Sequence, residues 1–324
     1  MERTIRILSL DGGGIRGLIP ALVLDALEKR AKRPIGELFD LIAGTSTGAI
    51  LALGLTLADA RGKPRYSARD LFDLYIERGN EIFSRSLWKR MSSVEGLTDE
   101  RYPSSGIEGV LKRYFGDALL KDTLVDVLIA AYELERRQPF LFRTRYARQP
   151  PRPNERFDYP IWQVARSSSA APTYFEPYHL PGEDSSYYTL VDGGVYANNP
   201  AMCALVEAKV LYPDARIQMV SIGTGGLCRP ITYDRAKNWG LVGWARPILD
   251  VVFDGVSDTV DFQAGQLLGP DFYRFQARLD DGSDDLDDAS ASNLDALIRH
   301  ARQLLLDSAS QLDAVARIFS ATSA

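Results

Sequence analysis

Histidine and cysteine are scarce in this chain, with two of each in 324 residues. The two cysteines, Cys203 and Cys228, cannot build a disulfide framework and fit a reducing cytoplasm. Neither sits in a cluster with metal-ligand spacing, so no His/Cys metal site and no cofactor is expected. A basic excess is also missing. The net charge of −5 argues against a nucleic-acid partner and against bulk attraction to anionic membranes. No signal-peptide pattern is visible, since Met1-Glu-Arg-Thr-Ile-Arg leads directly into a short apolar run. Long hydrophobic runs are absent as well. Leu41 to Ala58 carries no charge and approaches the roughly 20 residues of a spanning helix, but Gly44-Thr-Ser-Thr-Gly48 interrupts it with small and polar residues. What remains, 45% hydrophobic and 25% charged, is the composition of a soluble globular protein. Its expected place is the cytoplasm, with any lipid contact peripheral.

The interruption is itself the most informative stretch. Leu41, Ile42 and Ala43 read as a buried strand, Gly44-Thr-Ser-Thr-Gly48 as a G-x-S-x-G turn, and Ala49 to Leu57 as an apolar helix. This strand–turn–helix context is the one a nucleophile elbow requires, with the serine hydroxyl exposed at the tip. The new helix directs its unpaired N–H groups and positive dipole end toward Ser46, which suits a developing negative charge. A small-residue turn between two buried elements is the plainer alternative.

Taken in order, Ile5 to Leu10 reads as a strand and Leu18 to Arg33 as a helix that Pro34 ends. Phe39 to Ala43 is the second strand, and residues 60 to 120 look like an inserted helical region. Leu124 to Glu133 and Phe140 to Tyr146 read as strands, followed by a proline-rich loop from Gln149 to Pro160. A helix over Ile161 to Ala171, a strand over Tyr187 to Val191, and a helix that Asn199 caps with Pro200 at its first position come next. Arg216 to Ile222 and Asp271 to Leu279 complete the strands. Asp280 to Asp288, with six aspartates in nine residues, reads as a solvated loop. Apolar spacing from Asn293 to Phe319 predicts one long amphipathic helix. Strands alternating with helices imply an α/β fold with a mostly parallel sheet covered on both faces.

Two further groups bear on chemistry. Gly12, Gly14 and Gly17 match G-x-G-x-x-G between a strand and a helix, which suggests a dinucleotide site. That reading needs an acidic residue at the end of the second strand to hold a ribose, and Gly44-Thr-Ser46 supplies none. An oxyanion hole is the better reading, because consecutive glycines let backbone N–H groups approach a substrate oxygen closely. Arg16 adds a positive charge for a phosphate or that oxyanion, or else is an exposed arginine at a helix entry. Asp192 ends a strand before Gly193-Gly194. It is a candidate base for Ser46 or simply the first residue of an Asp-Gly turn.

Together these segments resemble the motifs of the patatin-like phospholipases. Asp11-Gly-Gly-Gly-Ile-Arg-Gly17, Gly44-Thr-Ser-Thr-Gly48 and Asp192-Gly-Gly194 stand in the family's order, and Ser167-Ser-Ser-Ala-Ala-Pro-Thr-Tyr-Phe175 and Asn198-Asn-Pro200 also look like family segments. The third motif is Asp-Gly-Gly where Asp-Gly-Ala also occurs in the family. The resemblance covers roughly residues 5 to 226. It implies a three-layer α/β/α fold and a Ser–Asp dyad that hydrolyses acyl esters of lipids. On that carry-over Ser46 is the nucleophile, Asp192 the base, and the backbone of Gly12, Gly13 and Gly14 the oxyanion hole. Residues 7–206 are then the catalytic core and 207–324 the C-terminal part of the same domain. The family includes effector phospholipases of bacterial antiphage defence that a cyclic nucleotide switches on, but nothing in this sequence identifies a site for such a small nucleotide activator. A non-catalytic storage or binding protein on the same fold is a further alternative, and the presence of both Ser46 and Asp192 argues against it. Two apolar stretches stand out as a cap or a lipid-touching surface, Ile82 to Met91 and Trp239 to Phe253; ordinary helix packing is the simpler account of each. Ser46, Asp192 and His300 also occur in the chain order of a hydrolase triad. However, His300 lies on the flank of an amphipathic helix and His179 beside a loop, so neither is expected to take part.

Overall fold

The computed structural model describes residues 3–83, 104–152, 155–227, 230–244, 247–281, 283 and 285–320. Its strands are β1 (Thr4–Leu10), β2 (Leu41–Thr45), β3 (Asp126–Glu133), β4 (Gln138–Arg143), β5 (Tyr178–Pro181), β6 (Tyr187–Asp192), β7 (Arg216–Ile222), β8 (Gly226–Leu227), β9 (Phe272–Phe275) and β10 (Arg278–Leu279). The first helices are α1 (Leu18–Ala31), α2 (Thr47–Thr56), α3 (Ala68–Phe83), α4 (Ser105–Phe115), α5 (Thr144–Arg148) and α6 (Ile161–Ser168). They are followed by α7 (Gly194–Ala197), α8 (Ala201–Leu211), α9 (Tyr233–Ala236), α10 (Leu241–Trp244), α11 (Pro247–Leu268), α12 (Ala291–Asp307) and α13 (Ala309–Ser320).

The large sheet runs in the order β5-β6-β3-β2-β1-β7-β9, with β4 alongside β3. Its centre, β3-β2-β1-β7-β9, is parallel throughout, while β4, β5 and β6 are antiparallel additions. Side chains alternate across a strand, and the sequence uses both faces. Leu8, Leu10, Ile42, Ile129 and Ile222 pack with apolar residues of α1, α2, α3, α12 and α13. Ile5, Ile7, Leu41, Ala43, Leu128, Ile217 and Met219 face the other way, onto Ala201, Ala204, Leu205 and Ala208 of α8 and onto α11. The spacing 201, 204, 205, 208 is one helix face, and its alanines bring the helix close to the sheet. The result is the expected α/β/α sandwich.

Several expectations change, among them the single strand over Asp271 to Leu279, which is β9 in the large sheet and β10 in a separate pair with β8. The helix expected over Asn293 to Phe319 is two helices, because Ser308 lies between α12 and α13. The strand expected to reach Tyr146 stops at Arg143 and turns directly into α5. The edge strand β5, antiparallel to β6, has no counterpart in the sequence reading. The aspartate-rich segment is only partly solvated, since Leu286 and Asp287 are 8% and 6% exposed. Its backbone is tied to the glycine turn after β1, where the Ile15 N–H donates to the Leu286 carbonyl at 2.8 Å.

Candidate active site

Strand pairing brings the two chemical residues together. Leu128–Ala130 of β3 pair with β2 on one edge and with β4 on the other. Ala131–Glu133 pair with β4 and with β6. β2 and β6 therefore share one edge of β3 and meet end to end, with Thr45 opposite Ala130 and Asp192 opposite Ala131. Ser46 follows Thr45, so serine and aspartate converge from opposite directions on one point. Both side chains line one cavity, and the Ser46 hydroxyl is near enough to the Asp192 carboxylate to oppose the rise in its pKa.

The turn that carries Ser46 is strained. Its φ of 56° and ψ of −121° lie in a region that costs non-glycine residues on the order of 1–3 kcal/mol, so surrounding bonds must hold it. The Ser46 N–H donates to Ser168 Oγ at 2.9 Å, and that hydroxyl donates to the Ala130 carbonyl at 2.6 Å. The Ser46 carbonyl accepts from the N–H groups of Ala49 and Ile50, which starts α2. Gly48 permits the close crossing of the turn over β1, because a Cβ there would lie 2.2 Å from the Leu10 carbonyl oxygen.

Asp192 is 2% exposed. Burial raises its pKa to about 6, against the opposing effect of the Ser46 hydroxyl and of the hydrogen bond from the Gly194 N–H at 2.7 Å. The plainer reading of Asp192 as the start of a hairpin turn does not hold, since β6 passes directly into α7.

The glycine turn lies across from the pair. The Gly12 N–H donates to the Asn198 carbonyl at 2.9 Å and the Gly12 carbonyl accepts from Thr224 Oγ1 at 2.7 Å. Gly12 is thus committed to holding the loop, which corrects the expectation that its N–H is an oxyanion donor. Gly13 and Gly14 line the cavity in front of Ser46. Gly14 has φ +56°, and a Cβ on it would collide with the Leu286 carbonyl oxygen at 2.1 Å. Arg16 is also relocated. It is 8% exposed, so it is not a surface arginine. Burial raises the pKa of Asp254 on α11, and the Arg16 charge opposes that rise.

Ser46 and Asp192 open into one cavity. Ile50, Ile107, Tyr174, Phe175, Phe253 and Leu286 make its wall mostly apolar, and Gly13, Gly14 and Ser169 add polar groups near the serine. A mostly apolar lining with a few polar groups suits an apolar ligand that carries one polar group. Neither histidine contributes to the wall. His179 stacks on Tyr187 at 4.5 Å, and His300 pairs with Asp281 at 2.5 Å. No group of three metal-binding side chains occurs among the described residues.

A family model described as patatin-like phospholipase matches residues 8–205. The chain belongs to that family. Patatin-like protein 1 of Arabidopsis thaliana is 30% identical to it, over 95% of this chain and 83% of that protein. The same plant's probable inactive patatin-like protein 9 is 31% identical, over 85% of this chain and 76% of that protein. Among solved structures, VipD from Legionella pneumophila aligns with 94% of this chain and 67% of its own at a TM-score of 0.37 and 13% identity. Lipid hydrolysis is the general activity of this patatin-like phospholipase family.

Several residues that shape the site had no sequence signal. Ser168 stood within a family segment but with no assigned role. Thr224, Leu286, Asp261 and Arg274 lie outside the matched segment and reach the loop only through folding. No helix among the described residues is long and apolar enough to cross a membrane.

Proposed function

We propose that the protein is a lipid acyl hydrolase of the phospholipase A type, working through an acyl-Ser46 intermediate with Asp192 as the base. The observation that carries this reading is the meeting of Ser46 and buried Asp192 in the wall of one mostly apolar cavity. The Ser46 oxygen attacks the ester carbonyl while its proton passes to the Asp192 carboxylate. The negative charge on the carbonyl oxygen is taken up by the N–H groups of Gly13 and Gly14, each such donor being worth roughly 3 kcal/mol in the transition state. Collapse breaks the ester C–O bond, and the Asp192 proton goes to the departing alcohol. Water then attacks the acyl-serine, giving its proton to Asp192, and a second collapse returns the proton to Ser46 and frees the fatty acid. A carboxylate with a pKa of about 6 is a better base than an ordinary one and is still ionised at neutral pH.

The substrate reaches this cavity from a lipid surface. Tyr233, Trp244, Ile248 and Val251 are exposed, and Trp239 stacks edge-on against Trp244. Ile248 and Val251 shortly precede Phe253 on α11, and Phe253 lines the cavity. An apolar, aromatic-bearing face of this kind fits the membrane interface. The other apolar stretch considered for this role, Ile82 to Met91, lies outside the described residues from position 84 onward.

The test is labelling by a fluorophosphonate probe together with release of fatty acid from phospholipid vesicles. The expected result is a single adduct at Ser46 and loss of both signals in Ser46→Ala. Hydrolysis that persists in Ser46→Ala would sink the assignment.

A further inference from the structure

The glycine turn is gripped from outside the matched family segment, by a partly buried ionic cluster centred on Arg274 of β9. Its guanidinium donates to both oxygens of Asp11, Nη1 to Oδ1 at 3.1 Å and Nη2 to Oδ2 at 2.7 Å. Nη1 also donates to Ser221 Oγ at 2.8 Å, and Nε lies 2.8 Å from Asp261 Oδ2 on α11. Asp261 in turn accepts from Asn199 Nδ2 at 2.7 Å, and the neighbouring Asn198 carbonyl holds the Gly12 N–H. Asp11 is 2% exposed and directly precedes Gly12. One planar cation therefore fixes both ends of the arrangement, the turn that presents Gly13 and Gly14 and the loop that pins it.

We infer that Arg274 is a positioning residue for the oxyanion donors. It touches no atom of the cavity and acts through Asp11 and Asp261. The inference rests on the proposed Ser46 chemistry, because only then do the Gly13 and Gly14 N–H groups have an oxyanion to meet. Its physical basis is geometric. Electrostatic stabilisation of a transition state depends on donors fixed in advance. Three consecutive glycines have no side chains with which to fix themselves. A bidentate Arg–carboxylate pair supplies direction as well as charge, and a lysine cannot reproduce the fork. The cluster also makes β9 and α11, both beyond residue 206, working parts of the catalytic unit.

The experiment compares wild type with Arg274→Lys and Arg274→Ala on a short soluble ester, with folding checked by thermal melting. The expected result is a kcat lowered about 10- to 100-fold, with KM within about threefold, because the acyl wall is untouched. Affinity for a trifluoromethyl ketone, which forms an oxyanion on the serine, should fall in step with kcat/KM. Affinity for a fatty acid, which makes no such oxyanion, should hold. Added guanidinium should restore part of the activity of Arg274→Ala. If the alanine protein does not fold, Arg274→Lys carries the comparison, since it keeps the charge and loses only the fork. A folded Arg274→Lys with wild-type kcat, or with equal losses for both ligands, overturns the positioning role. Activity surviving in Ser46→Ala overturns the underlying reading instead, so the two failures are distinguishable.

Discussion

At the scale of single residues, the proposal turns on Asp192 being ionised when Ser46 attacks. Burial raises its pKa to about 6, and only the carboxylate accepts a proton. Activity is therefore full above that value and lost as pH falls through it. On a short ester, kcat/KM should drop about tenfold per pH unit below roughly pH 6. A profile flat down to about pH 4, where an ordinary aspartate titrates, would mean that the Asp192 pKa is not raised, and one flat well below that would remove Asp192 as the base. Asp192→Asn should lose on the order of 10²-fold in turnover without a lower Tm, since it deletes a buried charge and keeps an acceptor for the Gly194 N–H. His179→Ala and His300→Ala should remain active, each partner of those rings lying away from the cavity wall. A folded but inactive His300→Ala would mean a triad. Ser168→Ala should cost about 1–3 kcal/mol by orphaning the Ser46 N–H, read as a lower Tm together with a lower kcat.

At the scale of elements, the site is two strand ends and one helix start meeting on the edge of β3. The crossing leaves no room beside β1, where a methyl group on Gly48 would sit 2.2 Å from the Leu10 carbonyl oxygen and 2.7 Å from that of Asp11. Backbone on both sides cannot yield as a side chain can, so Gly48→Ala should destabilise by more than about 3 kcal/mol or fail to accumulate as folded protein. A melting temperature close to wild type would contradict the crossing. The α10–α11 region makes a different kind of claim. Replacing Trp239 and Trp244 together by serine should depress hydrolysis of vesicle lipid well below that of a short soluble ester. Equal losses on the two substrates would mark the tryptophan pair as packing rather than lipid contact.

At the scale of the whole molecule, the matched segment 8–205 ends before two strands of its own sheet. β7 pairs with β1 along seven successive residues, from Thr4 with Arg216 to Leu10 with Ile222, and β9 adds to β7. We propose that 7–206 and 207–324 are one folding unit. A chain cut after residue 206 would expose the β1 edge and the apolar faces that α12 and α13 cover on α1. It should be insoluble or unfolded, and the full chain should melt in a single transition by circular dichroism and by activity. A stable, hydrolytic 1–206 fragment would show the C-terminal part to be an accessory.

The sequence by itself determined the alternation of strands and helices, the elbow around Ser46, the glycine turn and the place of Asp192 at a strand end. Those features are local, since a turn, a cap or a period of two or 3.6 residues is written within a few neighbours. Tertiary structure alone decided that β2 and β6 share one edge of β3, which sets Ser46 against Asp192 across 146 positions of chain. It also assigned the Gly12 N–H to Asn198 rather than to a substrate, buried Leu286 beneath the glycine turn, and brought Arg274 to Asp11. None of these contacts has a periodicity or a spacing to betray it. They arise because a parallel sheet orders its strands by crossover connections and not by sequence, so residues hundreds of positions apart become neighbours only once the sheet is complete.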